Sequence, residues 1–529
     1  MELIGTPIPR KKARRLEDTP PSSPLPFDIN DEYAVLSLGP IPDVLPARLH
    51  SYSFYDYLYM DIKLSDHALD IPPIFHRLAY FRDLARLLEK EGLVFNAVKS
   101  LFGGPHVCHE NAETLMCNLT YEHVKLIGLA FEAETRHQSQ CDLWKILRRC
   151  MMTASSMKWN KNGPTCSPDW TSKSDETGIP ITRSIAYGNT NERTARMLLT
   201  TYHIGVTTPQ TLDGINKLED NSVFIFDDSE KNREPYTCGL LLDPRTGMLG
   251  ASIDMLTCER NLVGMLSPSV SANSLEIFEI KCRAKYLFYP EDLLNKTTIC
   301  FNKLMAKRTA LAFKKFINSI NKPCVEYFQQ DRVPSASEAL ISCHNEWKTN
   351  LNSHGRERCY EFDRHHLSLN KEELSSVWLF REPDLEFHTI RPWTWATGEQ
   401  ILRTPIFANP KHSNFKQVFV QAYVLSGYFP EKDIKPFIVT FLGRERRQEE
   451  IGLTFTLADT PRTCSTYLDL TIGPEQAVPV ALIITPVNID RRLFSILEEA
   501  GTRAFNIASS ELWDRLHPTD FANAAEKTD

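Results

Sequence analysis

The spacing of apolar and polar residues divides the chain into a first part rich in helix patterns and a second part of mixed patterns. From about residue 45 to 160, apolar side chains recur every three or four positions, as in residues 74–88, which predicts mostly helices. A further helix is predicted at about 190–203 and helices return at about 299–320. Short apolar runs bounded by turn residues predict strands at about 238–243, 248–257, 274–282, 438–442, 453–457 and 481–485, and residues 243–247 are predicted to form the turn between the first two.

These elements predict four regions. Residues 1–28 are rich in proline and charge, which predicts a disordered tail, and residues 29–135 form a mostly helical N-terminal region. Residues 136–490 hold the mixed core, interrupted by polar insertions at about 205–235 and 330–390, and residues 491–529 are expected to form C-terminal helices and a loose tail. The expected fold class is α/β, with a mixed central sheet flanked by helices.

Charge and cysteine content indicate which partners and which cellular compartment to expect. The net charge of −7 means that the whole molecule does not attract nucleic acid, so such a role requires local Lys and Arg clusters and metal ions. The 13 cysteines include no Cys-x-x-Cys pair, and the sequence has no signal peptide and no long apolar run, which together indicate reduced thiols, an intracellular protein and no membrane partner. The basic run at residues 9–15 is typical of a nuclear localisation signal, although a solvated charge run is the alternative.

Two predicted strands carry charge where a buried strand is normally apolar. Glu279 and Lys281 are two residues apart and therefore share a strand face, and Asp254 lies on the preceding strand. If the two strands form an antiparallel pair, the two carboxylates converge on a hard cation such as Mg²⁺, with the Ile280 carbonyl as a further ligand. Lys281 would then orient and deprotonate the attacking water. Surface charges on ordinary strands explain the same spacing, so this pattern alone leaves both interpretations open.

Two further motifs precede this pair. The first runs from Tyr187 to Glu192 and is expected to open a helix, where a glutamate also favours the helix dipole. The second runs from Gln138 through Trp144 and Arg148 to Ser155. Arg148 and nearby hydroxyls could hold a terminal phosphate, because the guanidinium offers a two-pronged set of donors. A core tryptophan beside a solvated arginine pair is the simpler alternative.

In this order the motifs resemble the herpesvirus alkaline nucleases, relatives of phage lambda exonuclease within the PD-(D/E)xK superfamily. The resemblance spans about residues 135–490 and is carried by Gln138 to Ser155, Tyr187 to Glu192, Gly239 to Asp254, Glu279 to Leu287 and Phe407 to Leu425. It implies a restriction-endonuclease-like PD-(D/E)xK core. It also implies catalytic roles for Asp254, Glu279, Lys281 and Glu192, with Asp254, Glu279, Ile280 and Glu192 as metal ligands. The positions implied to bind substrate are Gln138, Trp144, Arg148, Ser155, Ser252, Gln421 and Tyr423.

The implied function is a Mg²⁺-dependent alkaline deoxyribonuclease, with Mn²⁺ as a substitute, that acts as a 5′→3′ exonuclease with some endonuclease activity on linear duplex DNA ends. It would process viral DNA during replication, recombination and packaging in the host nucleus, with the host cytoplasm as a second compartment. Two alternatives remain open. One is a recombination module that acts mainly by recruiting partners such as a viral single-stranded-DNA-binding protein. The other is an additional RNA cleavage activity that shuts off host messenger RNA.

A basic helix around residues 303–315 is the remaining candidate for nucleic-acid contact. Its lysines and arginine lie opposite apolar positions: Lys303, Lys307, Arg308, Lys314 and Lys315. They could line a DNA groove. A solvated helix face is the favoured interpretation.

Overall fold

The structure, a computed structural model, describes residues 121–138, 151–160, 163–165, 182–204, 238–258, 265–268, 273–320, 325–327, 339–342, 361–460 and 470–504, together with Cys141, Trp144, Leu147 and Arg148. The predicted tail at 1–28, most of the predicted helical region at 29–135 and the predicted insertion at 205–235 lie outside these residues.

Within the described ranges the secondary structure alternates between helices and strands. The α-helices are α1 (Tyr121–Glu134), α2 (Arg183–Leu198), α3 (Lys296–Lys307), α4 (Ala310–Ile317), α5 (Glu361–Asn370) and α6 (Ser413–Tyr428). A π-helical segment, Leu199–Ile204, continues α2, and residues 495–504 are also helical. The strands are β1 (Met152–Thr153), β2 (Lys158–Asn160), β3 (Gly163–Thr165), β4 (Leu240–Leu242), β5 (Leu249–Ser252), β6 (Met255–Leu256), β7 (Ser274–Cys282), β8 (Val325–Tyr327), β9 (Leu340–Ser342), β10 (Ser375–Phe380), β11 (Thr389–Ile390), β12 (Pro392–Trp393), β13 (Ile401–Thr404), β14 (Ile406–Ala408), β15 (Asp433–Arg444), β16 (Phe455–Leu457), β17 (Thr471–Ile472) and β18 (Val478–Pro486).

A seven-stranded mixed sheet forms the centre of the fold. Its strand order is β12-β10-β18-β15-β7-β6, with β13 also paired to β10. The neighbours β7 and β15 run parallel, whereas β15 and β18, β10 and β18, and β6 and β7 run antiparallel. Strand β18 is apolar along nearly its whole length and buried, as expected for a central strand covered on both faces. The predicted mixed α/β architecture is therefore confirmed, while the PD-(D/E)xK assignment stays a prediction.

The segment predicted as one strand at 248–257 is divided between two sheets. Strand β5 pairs with β4 and β1 in a separate three-stranded sheet, and the predicted turn at 243–247 does join β4 to β5. The chain then changes direction at residues 253–254, and β6 joins the central sheet with Met255 opposite Phe278. The single-strand prediction is wrong for this reason. Asp254 consequently lies at the corner between the two sheets.

Helix α6 connects the two sheets. Nearly all of its residues are buried, and it packs against β4 and β5 on one side and against β7 and β15 on the other. Its aromatic and aliphatic side chains enter two apolar cores, one under each sheet. Four polar side chains of α6 are nevertheless buried: Asn414, Lys416, Gln421 and Ser426.

Helix α2 begins earlier than predicted. Thr182 is its N-cap and its side chain accepts a hydrogen bond from the Ile185 amide, so Glu192 lies well inside the helix rather than at its start. The prediction that Glu192 opens the helix is therefore wrong. The reason is that Gly188 and Asn191 are poor helix formers, yet the Asn191 side chain donates to the Tyr187 carbonyl at 2.9 Å within the helix.

Two other predictions need correction. Residues 152–160 were expected to be helical but contain β1 and β2. The polar range 330–390, expected to be an insertion, contributes β10 at 375–380 to the middle of the central sheet. Among the helices that the structure describes, none combines the length and the apolar character needed to cross a membrane.

Candidate active site

Asp254, Glu279 and Lys281 meet at the corner between the two sheets. The Asp254 Oδ2 atom accepts a hydrogen bond from the Ile280 amide at 2.7 Å, which ties the corner to β7. Lys281 forms a hydrogen-bonded ion pair with Glu279 Oε1, and the Glu279 side chain is fully buried. Both side chains lie on one face of β7, as the two-residue spacing predicts. The predicted convergence of the two carboxylates on adjacent antiparallel segments is thus present, and the Ile280 contact is made through its amide.

Glu192 approaches this corner from α2. It forms an ion pair with Arg196, one turn further along the helix. Its charge acts on Asp254, Lys281 and the Cys282 thiol, which places it beside the catalytic candidates. The structure therefore brings together four side chains, Asp254, Glu279, Lys281 and Glu192, which come from a stretch of 90 residues, 192–281.

Gln421 joins the two halves of the site. Its amide nitrogen donates to Glu279 Oε2 at 2.6 Å and to the Ser252 carbonyl at 2.9 Å. Because both partners are acceptors, this arrangement fixes which end of the side-chain amide is nitrogen. The opposite atom, Oε1, is buried without a hydrogen-bond partner. Gln421, predicted to bind substrate, is placed to hold Glu279 against the backbone of β5.

The electrostatics of the corner oppose ionisation of Asp254. Burial and the neighbouring charges of Glu279 and Glu192 raise the pKa of Asp254 well above its ordinary range, outweighing the effects of Lys281 and the Ile280 amide. Burial alone would lower the pKa of Lys281, but Glu279 and Asp254 outweigh it, so the pKa of Lys281 is raised. The corner thus holds three carboxyl groups and two cationic side chains, Lys281 and Arg196, so one carboxyl group has no cationic partner within the cluster.

A second cluster forms around Arg148. Its guanidinium stacks over the Trp144 ring at 4.3 Å and donates to Ser155 Oγ at 3.0 Å. The Trp144 indole N–H in turn donates to Ser252 Oγ at 3.0 Å, and Ser252 is the last residue of β5. Burial lowers the pKa of Arg148. The predicted substrate-binding residues Trp144, Arg148, Ser155 and Ser252 thus form one connected chain that ends two residues before Asp254.

The last two predicted substrate-binding residues lie outside these clusters. Gln138 donates to the Cys238 carbonyl at 3.0 Å, just before β4. Tyr423 points toward the turn before β5, where its hydroxyl donates to Asp243 Oδ2 at 3.0 Å and the Arg245 guanidinium stacks on its ring at 3.6 Å. Their contacts organise the β4–β5 hairpin, and their roles in substrate binding stay predictions.

Sequence reasoning missed a clamp that fixes α2 next to Glu192. The Asn191 Oδ1 atom accepts from the Ala477 amide at 2.8 Å, and Gln476 donates to the Thr190 carbonyl at 3.1 Å. Asn191 belongs to the motif that contains Glu192, so its position gave a signal. Gln476 lies in an ordinary turn before β18 and gave none.

The donor set of the corner fits a hard divalent cation. In the parts of the chain that the structure describes, no three His, Cys, Asp or Glu side chains are arranged as a complete metal site. Mg²⁺, however, is usually held by one or two carboxylates together with water and substrate phosphate oxygens. Asp254 and Glu279 supply such a pair at the sheet corner.

Comparison with known proteins gives the family of the chain. The sequence model described as "Viral alkaline exonuclease" matches residues 47–524. The chain belongs to this family. The alkaline nuclease of Equine herpesvirus 1 (strain V592) is 42% identical over 490 residues, which cover 91% of this chain and 86% of that protein. The alkaline nuclease of varicella-zoster virus (strain Dumas) is 40% identical over 421 residues, covering 77% of this chain and 76% of the other. The resemblance found in the sequence is confirmed.

Three solved structures share the fold of this chain. The shutoff and exonuclease protein of Kaposi's sarcoma associated herpesvirus superposes with a TM-score of 0.61 at 20% identity, covering 92% of this chain and 96% of that chain. A SOX–RNA complex from the same virus gives 0.61 at 20% identity, covering 89% and 95%. A SOX–DNA complex gives 0.56 at 20% identity, covering 92% of each chain. These matches confirm the mixed α/β arrangement.

Proposed function

We propose that this chain is a Mg²⁺-dependent alkaline deoxyribonuclease that acts mainly as a 5′→3′ exonuclease at the corner formed by Asp254, Glu279, Lys281 and Glu192. The observation that carries the proposal is the cluster itself. Two adjacent carboxylates, one ion-paired lysine and a third carboxylate surround one point at the end of β5. Membership in the viral alkaline exonuclease family gives the reaction class, hydrolysis of a nucleic-acid backbone.

Each residue has a role that follows from its contacts. Asp254 and Glu279 would hold Mg²⁺, with Glu192 near a second cation and the Ile280 carbonyl as a further ligand. Bound there, the cations would supply positive charge that polarises the phosphate and favours attack by water. Gln421 keeps Glu279 in place, since it donates to the carboxylate oxygen that Lys281 does not contact. Lys281 lies where it can orient the attacking water and offset charge on the phosphate.

We expect the pH dependence of the activity to reflect Asp254. Because its pKa is raised by burial and by Glu279 and Glu192, its ionised, ligand-competent form becomes populated only as the pH rises. Activity that requires ionised Asp254 should therefore increase with pH. Mg²⁺ would lower this pKa by favouring the charged carboxylate, so the rise should shift to lower pH as the Mg²⁺ concentration increases.

The Arg148 cluster supports action at DNA ends. Arg148 is positioned by Trp144 and Ser155, and Trp144 links it through Ser252 to the strand that precedes Asp254. A terminal 5′-phosphate held at Arg148 would place the first phosphodiester bonds near the acidic corner. This arrangement supports exonuclease activity on linear duplex DNA, and the solved SOX–DNA complex supports DNA as the substrate class.

The decisive experiment replaces one metal carboxylate at a time. Asp254→Asn and Glu279→Gln should each lower the rate of linear duplex digestion with Mg²⁺ by at least about 10²-fold, equivalent to about 2.7 kcal/mol of barrier. The exposed residue Glu372 provides a matched control, because Glu372→Gln removes a similar charge outside the site. Parental rates in Asp254→Asn protein with an intact fold would refute the assignment.

RNA cleavage at the same site is a second candidate function. The SOX–RNA complex is the observation that favours it, because that protein has the same fold. One preparation should be assayed on linear duplex DNA and on single-stranded RNA. If Asp254→Asn abolishes both activities, one corner cuts both backbones, whereas RNA cleavage that survives in the variant would come from elsewhere. Recruitment of a viral single-stranded-DNA-binding protein stays a separate proposal, tested by recombination in the cleavage-inactive variant.

A further inference from the structure

The start of α6 lies beside Lys281 and is surrounded by positive charge. His412 is the N-cap of this helix, and the charges of Arg283, Lys285 and Lys281 all act on it. Arg283 follows β7 in extended backbone, two residues beyond Lys281, and is half-exposed. Residues 407–412, which belong to the motif that resembles the family, lead directly into this helix, and the roles given above do not include them.

Asn414 carries an unused donor at this place. Its side-chain Oδ1 accepts a hydrogen bond from Arg283 Nη2 at 3.1 Å, which fixes the other end of the amide as the nitrogen. That nitrogen, Nδ2, is buried and has no hydrogen-bond partner in the structure, and the residue is only 4% exposed. A buried donor without a partner costs about 1–3 kcal/mol, so a natural protein normally retains one for a reason such as ligand binding.

His412 contributes a hydrogen-bond acceptor at this helix start, but no charge. Its ring nitrogen Nδ1 accepts a hydrogen bond from the backbone N–H of Asn414 at 3.0 Å, a role that only the neutral ring can perform. Burial and the cations Arg283, Lys285 and Lys281 lower the pKa of His412 to about 3, so the ring is neutral at working pH. The positive potential at this helix start therefore comes from the arginine, the lysines and the helix dipole.

We propose that Arg283 and Asn414, at the start of α6, form a phosphate subsite that binds an internucleotide phosphate adjacent to the scissile one. The inference rests on the proposed nuclease function, since it needs a nucleic-acid backbone at Lys281. An arginine fork and a side-chain amide are typical phosphate donors, and the N-terminus of a 16-residue helix adds its dipole. Arg283 lies against Asn414 and is half-exposed, so a phosphate that draws Arg283 outward also gains access to Asn414 Nδ2.

The position of this subsite gives it a specific task. Lys281 and Arg283 are two residues apart in extended chain, which separates their α-carbons by roughly 6–7 Å. Two neighbouring phosphates can therefore be held at once, one at the acidic corner and one at Arg283. Since a phosphate carries no base information, the subsite would position the backbone of DNA and of RNA alike.

Binding measurements without cleavage test the subsite directly. The affinity of the full chain for fluorescent linear duplex DNA and for single-stranded RNA is measured by anisotropy in EDTA, over a series of salt concentrations. Arg283→Gln should weaken binding to both about tenfold and reduce the magnitude of the salt slope by about 0.9, the amount expected for one phosphate contact on duplex DNA. Lys371→Gln is the matched control, because it removes one positive charge from a lysine whose ion pair is with Glu372, and it should leave the slope unchanged.

Asn414→Asp separates phosphate binding from a structural role. The aspartate keeps an acceptor for Arg283, so the fold and the orientation of Arg283 are retained, but the free donor is replaced by a negatively charged oxygen. We expect affinity to fall about tenfold and KM to rise more than kcat falls, with no loss in the thermal midpoint. Unchanged affinity and salt slope in Asn414→Asp, or in Arg283→Gln, would overturn the proposal.

The outcome also separates this inference from the proposed function. If the parental chain binds DNA but does not cleave it with Mg²⁺, the nuclease proposal fails while the salt-slope test of Arg283 still decides the subsite. If the parental chain cleaves DNA and the Arg283 and Asn414 variants bind with the parental slope, the nuclease proposal stands and the subsite is refuted.

Discussion

Two buried clusters at the central sheet both combine acidic and basic side chains, but the pKa shifts of their carboxyl groups are opposite. At the end of β15, Arg444 donates to both oxygens of Glu450 at 2.7 Å and also pairs with Glu382. At the sheet corner, Lys281 pairs with Glu279 while Asp254 and Glu192 add further negative charge. With Arg447, whose Nη2 atom lies 3.6 Å from Glu382 Oε1, the Arg444 cluster has two cations for two carboxylates. The corner has three carboxyl groups for two cations, Lys281 and Arg196.

The pKa of Glu450 is lowered and the pKa of Asp254 is raised, which reflects this difference in charge balance. Burial opposes ionisation of Glu450, but the hydrogen bonds and charge of Arg444 outweigh it and lower the pKa of Glu450. Burial and like charges instead raise the pKa of Asp254. A buried acid with a lowered pKa contributes to folding, and one with a raised pKa costs stability that function must justify. The comparison teaches that charge balance, rather than burial, distinguishes the structural cluster from the functional one.

The strongest test makes the same substitution in both clusters. Glu450→Gln should lower the free energy of unfolding by about 3 kcal/mol, because it removes one partner of a buried ion pair. Glu279→Gln should change it by less than about 1 kcal/mol, since the lost Lys281 pairing is offset by relief of repulsion with Asp254. Urea unfolding of both variants measures the difference. Equal losses would mean that the corner is a structural ion pair like Arg444.

Replacing Lys281 by arginine tests whether the corner needs a lysine or only a positive charge. Lys281→Arg preserves the positive charge beside Glu279 but replaces a compact ammonium group by a larger planar group, which should displace the attacking water. We expect DNA digestion with Mg²⁺ to fall about 10²-fold while stability changes little. Rates measured across alkaline pH should remain low throughout. Parental activity in this variant would show that only the charge of Lys281 matters.

A smaller effect concerns stability and pH. Because folding raises the pKa of Asp254, the folded chain retains this proton at pH values where the unfolded chain has lost it. The resulting cost is absent below the unfolded pKa of about 3.9 and is complete once the pH exceeds the raised value. Asp254→Asn should therefore stabilise the protein at alkaline pH, and the gain should shrink as the pH falls. Thermal unfolding across this range measures it, and a constant or negative difference would contradict the electrostatic account.

The smallest expected effect belongs to the chain that positions Arg148. Trp144→Phe removes the indole hydrogen bond to Ser252 but keeps an aromatic ring under the guanidinium. The loss of one hydrogen bond, about 0.5–1.5 kcal/mol, should raise KM for 5′-phosphorylated DNA about three- to tenfold with kcat nearly unchanged. A duplex that lacks the 5′-phosphate should show a smaller difference, and an equal difference would separate Trp144 from end recognition.

Local patterns predicted the parts of the site that depend on short-range rules. The turn at 243–247, strand β7 and the shared face of Glu279 and Lys281 follow from residue type and two-residue spacing. The division of residues 248–257 between two sheets does not follow from them, because a change of direction at Asp254 depends on which partner strands are available. Strand β10 at 375–380 was not predicted within its polar range, because its pairing partner β18 lies about a hundred residues later in the sequence.

The site residues show the same division. The resemblance to the family placed Asp254, Glu279, Lys281 and Glu192 in one site, and the structure brings them together. The supporting contacts of Gln421 and Gln476 required tertiary structure, since each bridges segments that are far apart in sequence. The motif that resembles the family was the available signal for Gln421, and Gln476 offered none.

The bridge from Gln421 to Glu279 also sets an order of events during synthesis. The two residues are 142 positions apart, and β7 pairs in parallel with β15, which is made later still. At ordinary rates of translation, roughly 7–30 s separate the emergence of Glu279 from that of Gln421. Until then the acidic corner has neither its sheet nor its clamp. The ribosome-bound chain, which is itself close to messenger RNA, is therefore expected to be inactive until its C-terminal half has been made.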